Sequence, residues 1–207
     1  VTLRVRRGGE APRDAVLERS RIKVPAIEGR MVTEGGTKIA YLRLLRFTRG
    51  ASDALRDRTE ELLGEGAQAI VLDLRQDPGG LVSEAVGTAA VFLPEGSPVV
   101  TTEGRRSPRR TLRTSDDPVA SVTPMAVLVD RNSASASEIV AGALRDGGRA
   151  KLVGERTFGK ALVQSTRPLR DGGALKLTTA RYLTPSGYDL AERGLPPAVR
   201  AVDHPDT

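Results

Sequence analysis

Residues 124–164 read PMAVLVDRNSASASEIVAGALRDGGRAKLVGERTFGKALVQ, and their reading decides the fold. The run 124–130 is apolar almost without a break, which predicts a strand buried on both faces. A serine-rich turn follows. Residues 138–145 then place Ile139, Val140, Ala143 and Leu144 at helical spacing and stop at Gly147-Gly148. Strand, sharp turn and helix can hold a serine hydroxyl in the open beside a helix N-terminus, where backbone N–H groups stabilise a developing oxyanion. The same residues also serve a plainer purpose. Ser135-Ala136-Ser137-Glu138 is a capping box, and a serine before a helix is most often an N-cap. The two roles do not exclude each other.

A nucleophilic serine needs a base, and the composition narrows the choice. The chain has no cysteine and one histidine, His204, three residues from the C-terminus. A Ser-His-Asp triad is therefore disfavoured, and a lysine kept neutral by burial becomes the natural base. The lysines are Lys23, Lys38, Lys151, Lys160 and Lys176. Lys151 and Lys176 alternate with apolar neighbours as outward strand positions. Lys160 follows Gly159 and opens a mostly apolar strand, where its amine could be desolvated. A plain loop-to-strand lysine fits the same pattern.

The SASASEI run at 133–139, with Phe158-Gly159-Lys160 and Gln164 downstream, closely resembles the carboxy-terminal processing (tail-specific) serine proteases. The resemblance implies an α/β fold, a ClpP/crotonase-like spiral core with an added antiparallel hairpin. It implies Ser135 as nucleophile and Lys160 as general base, with Gln164 supporting the lysine and Asp146, in the helix after the nucleophile, as a further catalytic residue. Residues 74–80 resemble the family's LRxNPGG segment, which carries an oxyanion role to Gly79 or Gly80, with the amide of Ala136 as second donor. Read without the resemblance, Asp77-Pro78-Gly79-Gly80 is a turn. The implied activity is cleavage of proteins or peptides with exposed C-termini through an acyl-enzyme, with no metal or cofactor. The implied location is extracytoplasmic, in the periplasm or cell envelope of a bacterium. This sequence departs from the family pattern at Ala161, where many relatives have glycine, and at Ala198, where a terminal motif has aspartate. Two other classes share parts of the pattern: a crotonase-like acyl-CoA enzyme, and a non-catalytic interaction module or inactive protease fragment.

Outward from this stretch, the alternation of strands and helices predicts an α/β core with mostly parallel pairing. Strands are expected at 39–47, 68–75, 97–102, 151–155 and 198–202. Helices are expected at 52–63, capped by Ser52 or Asp53 and ended by Gly64, and at 81–92. Residues 24–30 read as a Pro-containing connector, and 104–117 as a polar hairpin or loop. Asp171-Gly172-Gly173 joins strands 162–169 and 174–183. Two short strands in 1–23 match the end of the PDZ domain that precedes the protease core in the family. The expected division is a PDZ remnant at 1–23 and a core at 24–207. The peptide-binding part of that domain, any export signal and any membrane-associating segment would lie outside this sequence.

Composition agrees with a globular protein: 39% hydrophobic, 28% charged. The net charge of +6 comes from arginines spread along the chain, and aromatics make up only 3%. Stacking on nucleic-acid bases therefore has little support. Without cysteine there is no disulfide or thiol chemistry, and no Cys/His cluster has metal-ligand spacing.

Overall fold

The computed structural model describes residues 1–20, 25–105, 107–191 and 193–202. His204, Lys23 and the expected boundary at 23/24 lie outside them. In chain order the elements are β1 (Thr2–Val5), β2 (Arg13–Val16), β3 (Ile27–Glu34), β4 (Thr37–Leu44), α1 (Ala51–Gly64), β5 (Ala69–Asp73), α2 (Val82–Ala90), β6 (Pro98–Gly104) and β7 (Ser107–Arg113). Then come β8 (Met125–Val129), α3 (Ala136–Asp146), β9 (Lys151–Gly154), β10 (Leu162–Pro168), β11 (Ala174–Leu183) and β12 (Val199–Arg200).

A six-stranded sheet ordered β12-β9-β8-β5-β4-β3 forms the core. All its pairings are parallel except β3 with β4. The expected late hairpin, β10–β11, pairs through β11 with β6 to build a separate antiparallel sheet ordered β10-β11-β6-β7. The α/β fold with an added antiparallel hairpin is as expected. β1 and β2 form a two-stranded sheet of their own.

Burial along β4 shows how the core sits. Ala40, Leu42 and Leu44 are fully buried, while Ile39, Tyr41 and Arg43 are half-buried. The buried set faces the helices: α1 packs on β3 and β4, α3 packs on β9, and α2 touches both α1 and α3. The opposite face carries polar contacts. Tyr41 donates to Asp73 at 2.6 Å, Arg75 pairs with Asp73 at 2.7 Å, and Arg30 stacks over the Tyr41 ring. This corrects the reading of 124–130 as a strand buried on both faces. In β8 Val127 and Val129 are buried, but Ala126 and Leu128 are only half-buried, because helices cover one side alone.

Two further readings change. Residues 27–30, taken as connector, begin β3, which lies at the sheet edge and pairs antiparallel with β4 from Ile27↔Leu44 to Glu34↔Thr37. Pro25 precedes the strand rather than interrupting it, so it removes no ladder bond. The N-cap of α1 is Gly50, not Ser52 or Asp53. Its N-terminal donors turn instead to Glu84 of α2, which accepts Gly50 N–H at 3.1 Å, Ser52 N–H at 3.0 Å and the Ser52 hydroxyl at 2.8 Å. The cap is long-range, so no local pattern could show it.

Burial alone would raise the Glu84 carboxyl, but the donors from Ser52, Gly50 and Ala51 outweigh it and hold it below its usual value. A depressed folded value means the stabilisation is present above the unfolded carboxyl range and is lost as pH falls through it. Glu84→Ala is therefore expected to cost roughly 1–3 kcal/mol at pH 7, the penalty of orphaned donors. Urea denaturation should show that the gap to the unsubstituted protein narrows below about pH 4.

Candidate active site

Two turns from parallel neighbours meet at the C-terminal edge of the sheet: 74–81 after β5 and 130–135 after β8. Each holds one of the two positive-φ non-glycine residues among those described, Gln76 (φ 63) and Ser135 (φ 59). Backbone strain of this sort persists where surrounding bonds over-determine it, and here the bonds are plain. Ser133, fully buried, donates its hydroxyl to the Leu74 carbonyl at 2.8 Å and accepts Asp130 N–H. Ser137, also fully buried, donates to the Asp77 carbonyl at 2.9 Å. The Asp77 carbonyl further accepts Ala134 N–H at 3.0 Å. The outer two serines thus stitch one turn to the other. Ser135, between them, is half-buried.

Ser135 is the N-cap of α3 and shares a capping box with Glu138. That carboxylate does more than close a helix. It is fully buried and accepts four donors: Ser135 N–H at 2.9 Å and Lys160 N–H at 2.9 Å on Oε2, and Gly159 N–H at 2.7 Å and the Thr157 hydroxyl at 2.5 Å on Oε1. One oxygen therefore holds the backbones of both Ser135 and Lys160. Phe158 N–H adds a bond to the Ser133 carbonyl at 3.0 Å. Sequence reasoning saw Glu138 only as a cap. The TFGK segment that it anchors lies nineteen or more residues away, beyond any local signal.

The two glycines of the 74–81 turn have different environments. A Cβ on Gly79 (φ 91) would lie 2.5 Å from the Ala134 carbonyl, 2.7 Å from Ala136 N and 2.9 Å from Ser135 Cβ, so only glycine fits against the serine turn. Its own N–H is engaged by Asp77 Oδ1 at 2.8 Å. Gly80 bridges Phe47 in parallel, and its flanking residues make the bonds: Phe47 N–H to the Gly79 carbonyl at 3.3 Å, and Leu81 N–H to the Phe47 carbonyl at 2.9 Å. The N–H groups of Gly80 and Ala136 have no hydrogen-bond partner among the described residues. Burial pushes the Asp77 carboxyl up to about 7, against the Gly79 N–H, the Ser137 hydroxyl and the Arg46 charge, which pull it down.

Beside Ser135 lies an open cleft of about 290 Å³ lined by Gln76, Pro78, Asn132, Ala134, Phe158 and Lys160. Asn132 donates to Gln76 at 3.0 Å, and Gln76 donates to Asp130, which fixes one wall. The other wall is Phe158, 64% exposed, with Lys160. Lys160 is not desolvated as the sequence reading expected. It is exposed, because 158–160 runs along the surface before β10 begins at Leu162. Its side chain is not hydrogen-bonded to Ser135 among the described residues.

Two of the expected residues are not brought to this cleft. Gln164 is exposed on β10, at a bulge between Val163 and Gln164, and makes no side-chain bond to Lys160 among the described residues. Asp146 ends α3, about 16 Å along the helix from Ser135. Its carboxylate accepts Ser186 N–H at 2.9 Å and pairs with Arg145. Burial would raise this carboxyl, yet the 184–186 donors and Arg145 outweigh it and lower it. In this chain Asp146 anchors a distant turn, because the helix geometry carries it away from the nucleophile.

The fold with this turn-on-turn site is that of a serine-peptidase core. Residues 38–201 match Peptidase family S41, and the chain belongs to that family. It is 38% identical over 207 residues to a "Probable CtpA-like serine protease" of Staphylococcus aureus, covering 99% of this chain and 40% of the relative. It is 38% identical over 191 residues to a "Carboxyl-terminal-processing protease" of Synechocystis, covering 92% of this chain and 44% of the relative. Among solved structures, a photosystem II D1 C-terminal processing protease superposes with a TM-score of 0.81 at 32% identity, over 92% of this chain and 52% of that one. The tricorn protease shares the fold alone, with a TM-score of 0.51 at 17% identity. The chain thus spans less than half the length of the curated relatives it matches. No helix among the described residues is long and apolar enough to cross a membrane.

Glu138 holds four donors in a site closed to water, so even its amide isostere is expected to fail. An NH₂ group would face two N–H donors, or an N–H and a hydroxyl. Both Glu138→Gln and Glu138→Ala should lower unfolding free energy by about 2–5 kcal/mol in chemical denaturation.

Proposed function

We propose that this chain carries the catalytic core of a serine endopeptidase that cleaves protein substrates near their C-termini through an acyl-enzyme. The observation that carries the reading is Glu138 Oε2, which accepts the backbone N–H of both Ser135 and Lys160. A helix cap needs only the first of these bonds. The second brings a lysine from a separate segment to the rim of the serine's cleft.

Ser135 Oγ attacks the scissile carbonyl carbon while its proton passes to the neutral amine of Lys160. The carbonyl oxygen, now negative, is held by the N–H groups of Ala136 and Gly80. Gly80 takes this role rather than Gly79 because the Gly79 N–H is already bound to Asp77. Lys160 then gives the proton to the leaving amine, the C–N bond breaks, and water hydrolyses the Ser135 ester with Lys160 again as base. The open cleft supplies what the free chain lacks. A peptide laid over Phe158 covers the Lys160 amine, removes its water and disfavours its charged form.

Substrates with exposed C-termini, an extracytoplasmic location and a PDZ origin for the 1–20 hairpin belong to the same proposal, on the family likeness. The hairpin is separate from the core sheets and leaves Val1, Leu3, Val5 and Val16 exposed, as the end of a larger domain would.

Incubation with a fluorophosphonate, followed by peptide mass mapping, should place one adduct on Ser135. Ser135→Ala and Lys160→Ala should each lower turnover of a fluorogenic peptide with a free C-terminus by at least about 10³-fold. If Ser135→Ala shifts stability by about 1 kcal/mol and leaves turnover and labelling intact, Ser135 is a cap and the peptidase reading fails.

A further inference from the structure

The Asp77 side chain is a buried ionisable group that the proposed chemistry does not itself use. It is 0% exposed, and its two oxygens differ. Oδ1 accepts Gly79 N–H at 2.8 Å. Oδ2 is buried with no partner among the described residues. A carboxylate in that state lacks the donors a buried charge requires, whereas a carboxylic acid with its proton on Oδ2 keeps the Gly79 bond and carries no charge.

Its position makes the difference matter. The Asp77 main-chain carbonyl is clamped by Ala134 N–H and the Ser137 hydroxyl, on either side of Ser135. Gly79, which the carboxyl holds, leaves no room for a Cβ beside Ser135 Cβ and Ala136 N. By occupying Gly79 N–H, the carboxyl sets the turn that leaves Gly80 N–H unpartnered. A negative charge here would oppose negative charge developing on a substrate oxygen at Gly80 N–H, the amide next after the one the carboxyl holds.

We propose that Asp77 is a positioning residue that acts in its protonated form: it fixes the 77–80 turn that presents Gly80 N–H to the oxyanion, and its ionisation weakens that oxyanion hole. The inference rests on the peptidase reading above. The ionisable groups on the surrounding elements are consistent with it. Among the described residues Arg46, after β4, is the charge that acts on Asp77, and it favours the ionised form. Asp73 is paired with Arg75, Asp130 with Gln76 and Asn132, and Glu138 with its four donors. Lys160 lines the cleft beyond Pro78. Burial outweighs Arg46 and places the transition near neutral pH.

The test is a pH series from 6 to 9 on the 207-residue chain and its Asp77→Asn variant, with kcat and KM read separately on a fluorogenic peptide. Asparagine keeps an acceptor for Gly79 N–H and cannot ionise. The ratio of variant to unsubstituted kcat should rise about tenfold between pH 6 and pH 9, with no matching change in the ratio of KM values. The Gly79 amide resonance, followed by ¹⁵N NMR, should titrate near pH 7 in the unsubstituted chain and stay fixed in the variant. A kcat ratio that is flat with pH, or a Gly79 amide that does not move, overturns the role of Asp77. A Gly79 amide that titrates in a chain with no turnover and no Ser135 labelling overturns the peptidase reading instead.

Discussion

A single buried carboxylate determines where the catalytic candidates stand. Glu138 sits in the first turn of α3, where the helix dipole favours negative charge. That alone would not justify a fully buried acid, whose desolvation costs several kcal/mol. The cost is met by four donors, two to each oxygen. Three of them are backbone or side-chain groups of residues 157–160, a segment with little packing of its own. The exposed Phe158 and Lys160 side chains are carried by a backbone fixed from below. Thr157 extends the anchor, since its hydroxyl also accepts Leu195 N–H at 2.7 Å. A surface segment thereby gains the placement of a core strand while its side chains remain open to a ligand.

The serine turn is fixed by a different device. Ser133 and Ser137 lie two residues either side of Ser135, and both reach the carbonyls of the 74–77 turn. These bonds, with Ala134 N–H on Asp77, hold Ser135 at a φ of 59 that a serine seldom adopts. Gly79 completes the contact because no Cβ could occupy the space beside Ala134 and Ala136. The two strand-turn-helix units are therefore interlocked at their turns, while β5 and β8 pair beneath them. Free amides at Ala136 and Gly80 are a consequence of this interlock. Ala136 begins a helix, and Gly80 sits in a bridge whose bonds pass through its neighbours.

Much of this was legible in the sequence where the signal was local. The apolar run before the serines, the helical spacing after them and the Asp171-Gly172-Gly173 turn located β8, α3 and the β10–β11 hairpin. What escaped was set by contacts between distant segments. Glu84 caps α1 from α2, a contact that the local pattern, which points to Ser52 or Asp53, does not carry. The edge strand β3 begins directly after a Pro-containing connector and draws its order from β4. The open face of the sheet left Ala126 and Leu128 half-buried in a run that read as wholly buried. The resemblance of the SASAS and FGK segments led to the family that the chain belongs to. Ser135 and Lys160 stand at one cleft. Gln164 is exposed on β10, and Asp146 lies at the far end of α3, where it bonds to Ser186.

The remaining asymmetry lies between the two sides of the cleft. On the serine side the Ser133 and Ser137 hydroxyls and the Glu138 carboxylate are engaged, while the Gly80 and Ala136 amides and Asp77 Oδ2 have no partner among the described residues. On the lysine side the backbone is fixed by Glu138 while the amine stands in water. Phe158, 64% exposed, adds apolar surface beside it. The two walls thus differ in kind: the Ser135 wall is fixed by bonds between its two turns, and the Lys160 wall presents exposed side chains on a backbone that Glu138 fixes from below.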